Sequence, residues 1–322
     1  MTQITKSRPA PVIAGNTSTG LLKLLALIFM FCDHMGARCF PNINELRMIG
    51  RLAFPLYCWC MVIGASYTRS MPKYLLRLGL VGLISQPVYM VAMNHPYNVP
   101  NIFLTLLLGL LGVWGIQEKR WLSQIWAPVL AMLAAQLLNC DAASYGWQGV
   151  LLICLLWAVR DSRRGIAATM IAFCLFWGAG GMSITSIFGI KVAPLTRSAL
   201  GPVFSPWLKL QTFAVMSLPL IIWPDTVRLP IPAFMRAADD SRTHVTLRTR
   251  MPRIPMPHWL GYAIYPLHLV LLIGLQYAMG KTVHWAHLTN AWDMFVTFVI
   301  THMDNLYAFL NGLFRQITGL GL

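Results

Sequence analysis

Asp33 and His34 close an apolar run of helical length, Leu21-Leu-Lys-Leu-Leu-Ala-Leu-Ile-Phe-Met-Phe-Cys-Asp-His. A second apolar run far down the chain, Gly261-Tyr-Ala-Ile-Tyr-Pro-Leu-His-Leu-Val, carries His268, and Arg51 opens a third. Ionisable groups at membrane depth cost about 3 kcal/mol each on insertion scales, so they face a bundle interior and mark substrate or proton chemistry. A neutral imidazole takes a proton from an amine or hydroxyl near neutral pH, and a carboxylate bonded to it fixes the tautomer and stabilises the imidazolium. Asp33 and His34 are consecutive, about 100° apart on a helix, and do not face each other. Asp33 is therefore expected either to orient His268 or to pair with Arg51. Tyr265 lies one turn before His268 on the same face, and Pro266 loosens the backbone between them by removing a hydrogen bond.

The elements that hold these groups are apolar helices. Of 322 residues 57% are hydrophobic and only 11% charged, with a mean hydropathy of +0.60. A soluble domain carries about 25% charged residues, so the bilayer is the solvent, and the chain reads as one polytopic, all-α bundle embedded in membrane lipid. Nine spans are expected near 21–37, 49–67, 74–93, 101–117, 122–139, 146–160, 165–188, 207–224 and 258–280, with a tenth candidate near 291–312. Residues 1–20 read as a polar N-terminal tail ahead of an uncleaved first helix, 21–224 as the membrane bundle, 225–257 as a basic linker, and 258–322 as the C-terminal membrane helices.

Charge sets the orientation. The connectors around Arg69, Lys73 and Arg77, around Lys119 and Arg120, around Arg160, Arg163 and Arg164, and from Arg228 to Arg253 are basic. They fall on one side if the spans alternate, whereas Asn94–Pro100 and Asn139–Ser144 hold no Lys or Arg. Positive loops stay inside, which predicts a multi-pass membrane protein with a cytoplasmic N-terminus and an outward-facing loop from Arg38 to Gly50. Lys191, Arg197 and Lys209 weaken the bias in the later part. The net charge of +15 forms no basic face and accompanies no nucleic-acid motif, so a nucleic-acid partner is not expected. The linker's arginines suit a flap on anionic lipid, or else a side-chain clamp for an anionic ligand, because no glycine-rich phosphate loop is present.

Seven cysteines include no CxxC pair and mostly sit inside apolar runs as small buried hydrophobes. Cys39 and Cys140 follow the first and fifth spans on the outer side. A disulfide there would need Cα atoms within about 7 Å, and two unpaired thiols at helix ends are the simpler expectation. His284 and His287 have the spacing of two ligands on one helix face, but no further ligand stands nearby, and no metal is expected.

Five motifs in order resemble the TraX family, the conjugative-pilin N-acetylases. They are Asp33-His34 after an apolar run with Lys23 near its start, Gly50-Arg51-Leu-Ala-Phe-Pro-Leu-Tyr57, Asn101-Ile-Phe-Leu-Thr105, Ser144-Tyr-Gly-Trp-Gln-Gly149 and Tyr265-Pro-Leu-His268-Leu. The resemblance covers about residues 20–160 and 258–275. It implies an inner-membrane enzyme that moves acetyl from acetyl-coenzyme A to the N-terminal amine of a pilin subunit. The plan is also similar to acyltransferases that decorate surface glycans from a helix-one histidine. On this reading Asp33, His34, Arg51 and His268 are catalytic and surround one cavity. Tyr265 and Asn101 contact substrate, and Arg69, Lys73 and Arg77 hold coenzyme A phosphates. Direct attack by the amine is the simplest mechanism, and an acetyl-histidine intermediate would show ping-pong kinetics. A proton-coupled transporter predicts two repeated halves with paired broken helices, and no internal repeat is seen. A pilus assembly protein without catalysis predicts that the four charged positions tolerate substitution.

Overall fold

The computed structural model describes residues 12–96, 98–138, 140, 145–184, 186–192, 194, 197–198, 201–224, 226–230, 244–248, 251–252, 258–283, 285 and 291–318. Most of the described residues are helical. The long helices are α1 (Thr19–Arg38), α2 (Asn44–Gly50), α3 (Ala53–Tyr67), α4 (Met71–Met93), α5 (Ile102–Glu118), α6 (Ser123–Leu137), α7 (Gly146–Ala158), α8 (Arg163–Ala179), α9 (His258–Ala278) and α10 (Ala291–Thr318). Four stretches are long and apolar enough to cross a membrane: Thr19–Arg38, Asn44–Tyr67, Met71–Met93 and Gly261–Ala278. Shorter apolar helices cover Ile102–Glu118, Ser123–Leu137, Gly146–Ala158 and Leu210–Ile221.

Two expected spans take other forms. The run 165–188 stops as a helix at Ala179, after which Ser186–Ile187 pairs antiparallel with Ile190–Lys191 across a turn containing Gly189 at φ +78°. The run 207–224 is a 3₁₀ stretch, Leu210–Ser217, followed by one α turn, Leu218–Ile221. Poor 3₁₀ geometry keeps such stretches short. The basic linker contains an antiparallel ribbon, Thr226–Pro230 against His244–Arg248.

The contacts divide the chain into two compact units. The first gathers the described parts of Met1–Asp33, Asn44–Arg69 and Leu155–Pro257. Its centre is α3, whose Phe54, Leu56, Cys58, Trp59 and Val62 are buried. The segment before α1 is built into this unit. Trp59 donates its indole N–H to the Asn16 carbonyl at 2.8 Å, and Asn16 donates its side-chain amide to the Leu220 carbonyl at 3.1 Å. Gly15 is needed there, since a Cβ would lie 2.8 Å from the Ile221 carbonyl oxygen. Thr212 hydrogen-bonds to the Pro206 carbonyl at 2.8 Å, anchoring the 3₁₀ stretch beside α8.

The second unit gathers the described parts of His34–Ile43, Ser70–Cys154 and His258–Leu322. One of its cores joins Leu108 of α5, Ala131 and Ala135 of α6, and Val150 and Cys154 of α7 with Cys140 from the connector after α6. Gly112 lets these helices close, because a Cβ there would meet the Cys154 sulfur at 2.9 Å. Helix α9 packs along α4. Gln276 donates to the Ala92 carbonyl at 2.9 Å, while Tyr265 packs on Phe103, which itself lies against Gly82. Those two points give α9 and α4 the same direction. All seven cysteines are thiols, so no disulfide joins Cys39 to Cys140.

Candidate active site

In the first unit, Asp33 meets two guanidinium groups. The Arg51 Nη2 donates to Asp33 Oδ2, and Arg47 Nε lies 3.2 Å from Asp33 Oδ1. Arg51 sits at the turn between α2 and α3, its N–H bonded to the carbonyls of Arg47 and Met48, and it is only 7% exposed. Its Nη1 reaches the Gln211 Oε1 at 3.4 Å. Of the two partners considered for Asp33, the structure supplies Arg51. Gly50 makes the approach possible, since a Cβ there would lie 2.6 Å from the Asp33 Cα. The motif Gly50-Arg51 therefore works as a unit, the glycine admitting α1 and the arginine tying it down. Arg47 and Gln211 were not anticipated. Arg47 falls within the stretch assigned to an outward loop, and Gln211 in a region without a motif.

In the second unit, His34 Nδ1 lies 3.1 Å from His268 Nε2, with the rings stacked at 5.2 Å and 21°. His268 is 5% exposed. Tyr265 meets it edge-on at 5.0 Å and meets Phe103 edge-on at 4.7 Å, so the ring is held from one side by aromatic packing. Hydrogen positions follow from the surroundings. One of the facing nitrogens must donate and the other accept. The other His268 nitrogen, Nδ1, is buried and makes no hydrogen bond. In the tautomer with the shared proton on His34 Nδ1, His268 Nε2 accepts it and the base lone pair is on His34 Nε2. His268 thus stands behind His34 as an acceptor that stabilises the imidazolium formed when Nε2 takes a proton.

Asn101 caps α5, its side-chain oxygen accepting from the Phe103 N–H at 3.0 Å. Its amide donates to the Gly82 carbonyl at 2.7 Å, and its own N–H bonds to Gln86 at 2.8 Å. These bonds fix α4 against the start of α5 and so place Phe103 under Tyr265. Arg69 is exposed in the connector after α3, and Lys73 and Arg77 are exposed on one face of α4, four residues apart. His284 and His287 lie outside the described residues, and among the described residues no cluster of three His, Cys, Asp or Glu has metal-binding geometry.

The helices long enough to span a bilayer, with ionisable pairs held inside each unit, define a helical membrane protein with buried polar sites. A family model described as TraX protein matches residues 18–276, and the chain belongs to the TraX family. It is 32% identical over 139 residues to a "Probable fimbrial assembly protein FimC, serogroup H1" of Dichelobacter nodosus, covering 38% of this chain and 56% of that protein. It is 34% identical over 101 residues to an uncharacterised protein, RP591, of Rickettsia prowazekii (strain Madrid E), covering 30% of this chain and 38% of that protein. The chain thus matches about half, or less, of the length of these curated relatives. No solved structure matches.

Proposed function

We propose that this chain is an inner-membrane acetyltransferase that moves acetyl from acetyl-coenzyme A to the N-terminal amine of a pilin subunit. The proposal includes nine to ten membrane passes and a cytoplasmic N-terminus. The observation that carries it is the His34–His268 pair, 3.1 Å apart and backed by Tyr265. Family membership and the fimbrial assembly relative support the pilin side of the reading.

The acceptor must lose a proton before it attacks, because an ammonium has no lone pair. His34 Nε2 takes that proton, and its Nδ1–H donates to His268 Nε2 as the charge develops. The free amine nitrogen attacks the thioester carbonyl carbon. The carbonyl π bond opens and reforms, the carbon–sulfur bond breaks, and the thiolate of coenzyme A leaves. The second proton of the attacking nitrogen passes to that thiolate. The products are an amide and a thiol, with His34 returned to neutrality once its proton exchanges with water. Lys73 and Arg77, exposed and on one face, suit the donor's phosphates, and Arg69 lies in the adjoining connector. The Asp33–Arg51–Arg47 cluster fixes α1, the helix that carries His34.

The test is the mass of the co-expressed pilin N-terminus, with and without this chain. An acetyl increment that requires the chain supports transfer. Its presence in cells lacking the chain contradicts it. A second reading, a pilus assembly protein without catalysis, is favoured by the likeness to the fimbrial assembly protein of Dichelobacter nodosus. It predicts normal pilin mass and defective pilus formation when the chain is absent.

A further inference from the structure

The chain after α8 forms a small hairpin that carries apolar side chains outward. Ser186–Ile187 pairs with Ile190–Lys191, and the two residues between them, Phe188 and Gly189, have φ of +48° and +78°. Positive φ at both central positions is the geometry of a type I′ turn. Asn-Gly is the favoured pair for such a turn, and a bulky residue with positive φ is uncommon. A phenyl ring thus occupies a position whose backbone suits asparagine. The fold does not take the ring up: Phe188 is 80% exposed, and Ile190 and Met182 are 73% and 67% exposed. The hairpin beneath them is well fixed. Ile187 and Val192 pack on the core of Met48, Ile184 and Leu210. Lys209 donates to the Ser183 hydroxyl at 2.9 Å, and the Leu210 N–H bonds to the Met182 carbonyl at 2.9 Å. A strained, exposed aromatic on so firm a support points to a use outside the hairpin itself.

What covers these side chains follows from where the hairpin is attached. The Phe188 N–H donates to Glu45 Oε1, and Asn44 donates its side-chain amide to the Ser186 hydroxyl at 3.3 Å. Asn44 and Glu45 open the stretch Asn44–Tyr67, 24 residues long and apolar enough to cross a membrane. A helix of that length rises about 36 Å against about 30 Å of hydrocarbon, so its first turn stands in the headgroup layer. The hairpin tip is therefore held at the level where aromatic and aliphatic side chains enter the boundary between headgroups and acyl chains, with cations toward the water. Lys191, exposed on the strand after the turn, supplies such a cation. We infer that Phe188, Ile190 and Met182 form a bilayer anchor, inserted at the headgroup–acyl boundary with Lys191 beside lipid phosphates. The anchor fixes the depth of α2, and so of the two arginines that hold Asp33. It goes beyond the acetyl-transfer reading and does not depend on it.

The test uses the purified full chain in nanodiscs of phosphatidylcholine and phosphatidylglycerol. In one arm, Phe188 is replaced by its photoreactive analogue p-benzoylphenylalanine and the sample is irradiated. The exposed position admits the larger side chain. The expected product is the chain plus the mass of one phospholipid. An unmodified chain overturns the inference, and so does an adduct of two chains, which gives the patch to a second copy. In the other arm, trypsin cleavage after Lys191 is followed for wild type and Phe188→Asn. Asparagine suits the turn, so the hairpin stays folded and only the ring is lost. Burial of one phenyl side chain favours the inserted state on the order of 10- to 100-fold, and the variant is expected to be cleaved faster by about that factor. Equal rates in the two proteins overturn the anchor. If Phe188→Asn fails to fold, the photoreactive arm decides.

Discussion

Gly50→Ala probes the junction that seats Asp33. The new Cβ would stand 2.6 Å from the Asp33 Cα and 2.7 Å from its Oδ1. Carbon atoms pack at about 3.5–4.0 Å, so the two backbones must part by about 1 Å. A Cα is backbone and cannot swing aside as a side-chain tip does. The same retreat would lengthen the Arg47–Asp33 ion pair from its present 3.2 Å and weaken it. Overpacking of this kind costs about 1–3 kcal/mol, while replacing a helical glycine by alanine returns about 1 kcal/mol of propensity. The net expectation is a loss of up to about 2 kcal/mol, which for a chain of this size lowers Tm by a few degrees. Gly79→Ala is the control, because nothing lies within 4 Å of its Cβ position. Thermal unfolding of both variants in one detergent, with pilin acetylation measured alongside, checks the expectation. A Gly50→Ala protein with wild-type Tm and wild-type transfer would refute the argument, as would an equal loss in Gly79→Ala.

Other substitutions separate the two clusters. Asp33→Asn leaves Arg51, 7% exposed, without its carboxylate and is expected to cost about 3 kcal/mol, whereas Arg51→Met leaves Asp33 with Arg47 and costs less. Denaturation that finds the order reversed contradicts the assignment of Arg51 as the deeper charge. Asn101→Ala removes the α5 cap and the tie to Gly82, for an expected loss of about 2 kcal/mol measured by Tm. His95 titrates below its ordinary value of 6.5 because of burial and the Arg38 charge, so the unfolded chain binds more protons below that pH. Stability therefore rises with pH through this window and falls on acidification below about 6.5. His95→Gln is expected to flatten the fall in Tm between about pH 6.5 and 5, and an unchanged slope would assign the acid sensitivity elsewhere.

The sequence showed the long apolar helices well where a run kept its hydrophobicity between clear breaks. α4, α5 and α9 fall within a few residues of the expected spans. Hydropathy failed at 165–188 and 207–224 because apolar composition does not report whether the chain keeps α geometry. Gly180 and Gly181 follow the end of the helix in the first stretch, and the second winds as 3₁₀. At the site, Asp33, His34, Arg51 and His268 were legible because charge in an apolar run is rare and costly. Arg47 was not, since an arginine in a stretch of mixed polarity looks like any surface charge until α2 turns it back toward α1. Gly50 carried a signal of a different kind, an adjacent arginine, and its role became clear only from the separation of two backbones. The pairing of His34 with His268 across 234 residues depends on α9 packing along α4, which no local pattern encodes.

The central claim is that His34, backed by His268, is the base for acetyl transfer, and the most direct measurement is the acetylation rate of purified His34→Ala and His268→Ala against wild type. Removing a general base lowers the rate about 10²–10⁴-fold, while losing one hydrogen bond between membrane helices costs only about 1 kcal/mol of stability. Both variants are expected to remain folded and inserted, with His34→Ala at the lower end of activity and His268→Ala intermediate. Near-wild-type acetylation by both would contradict the account.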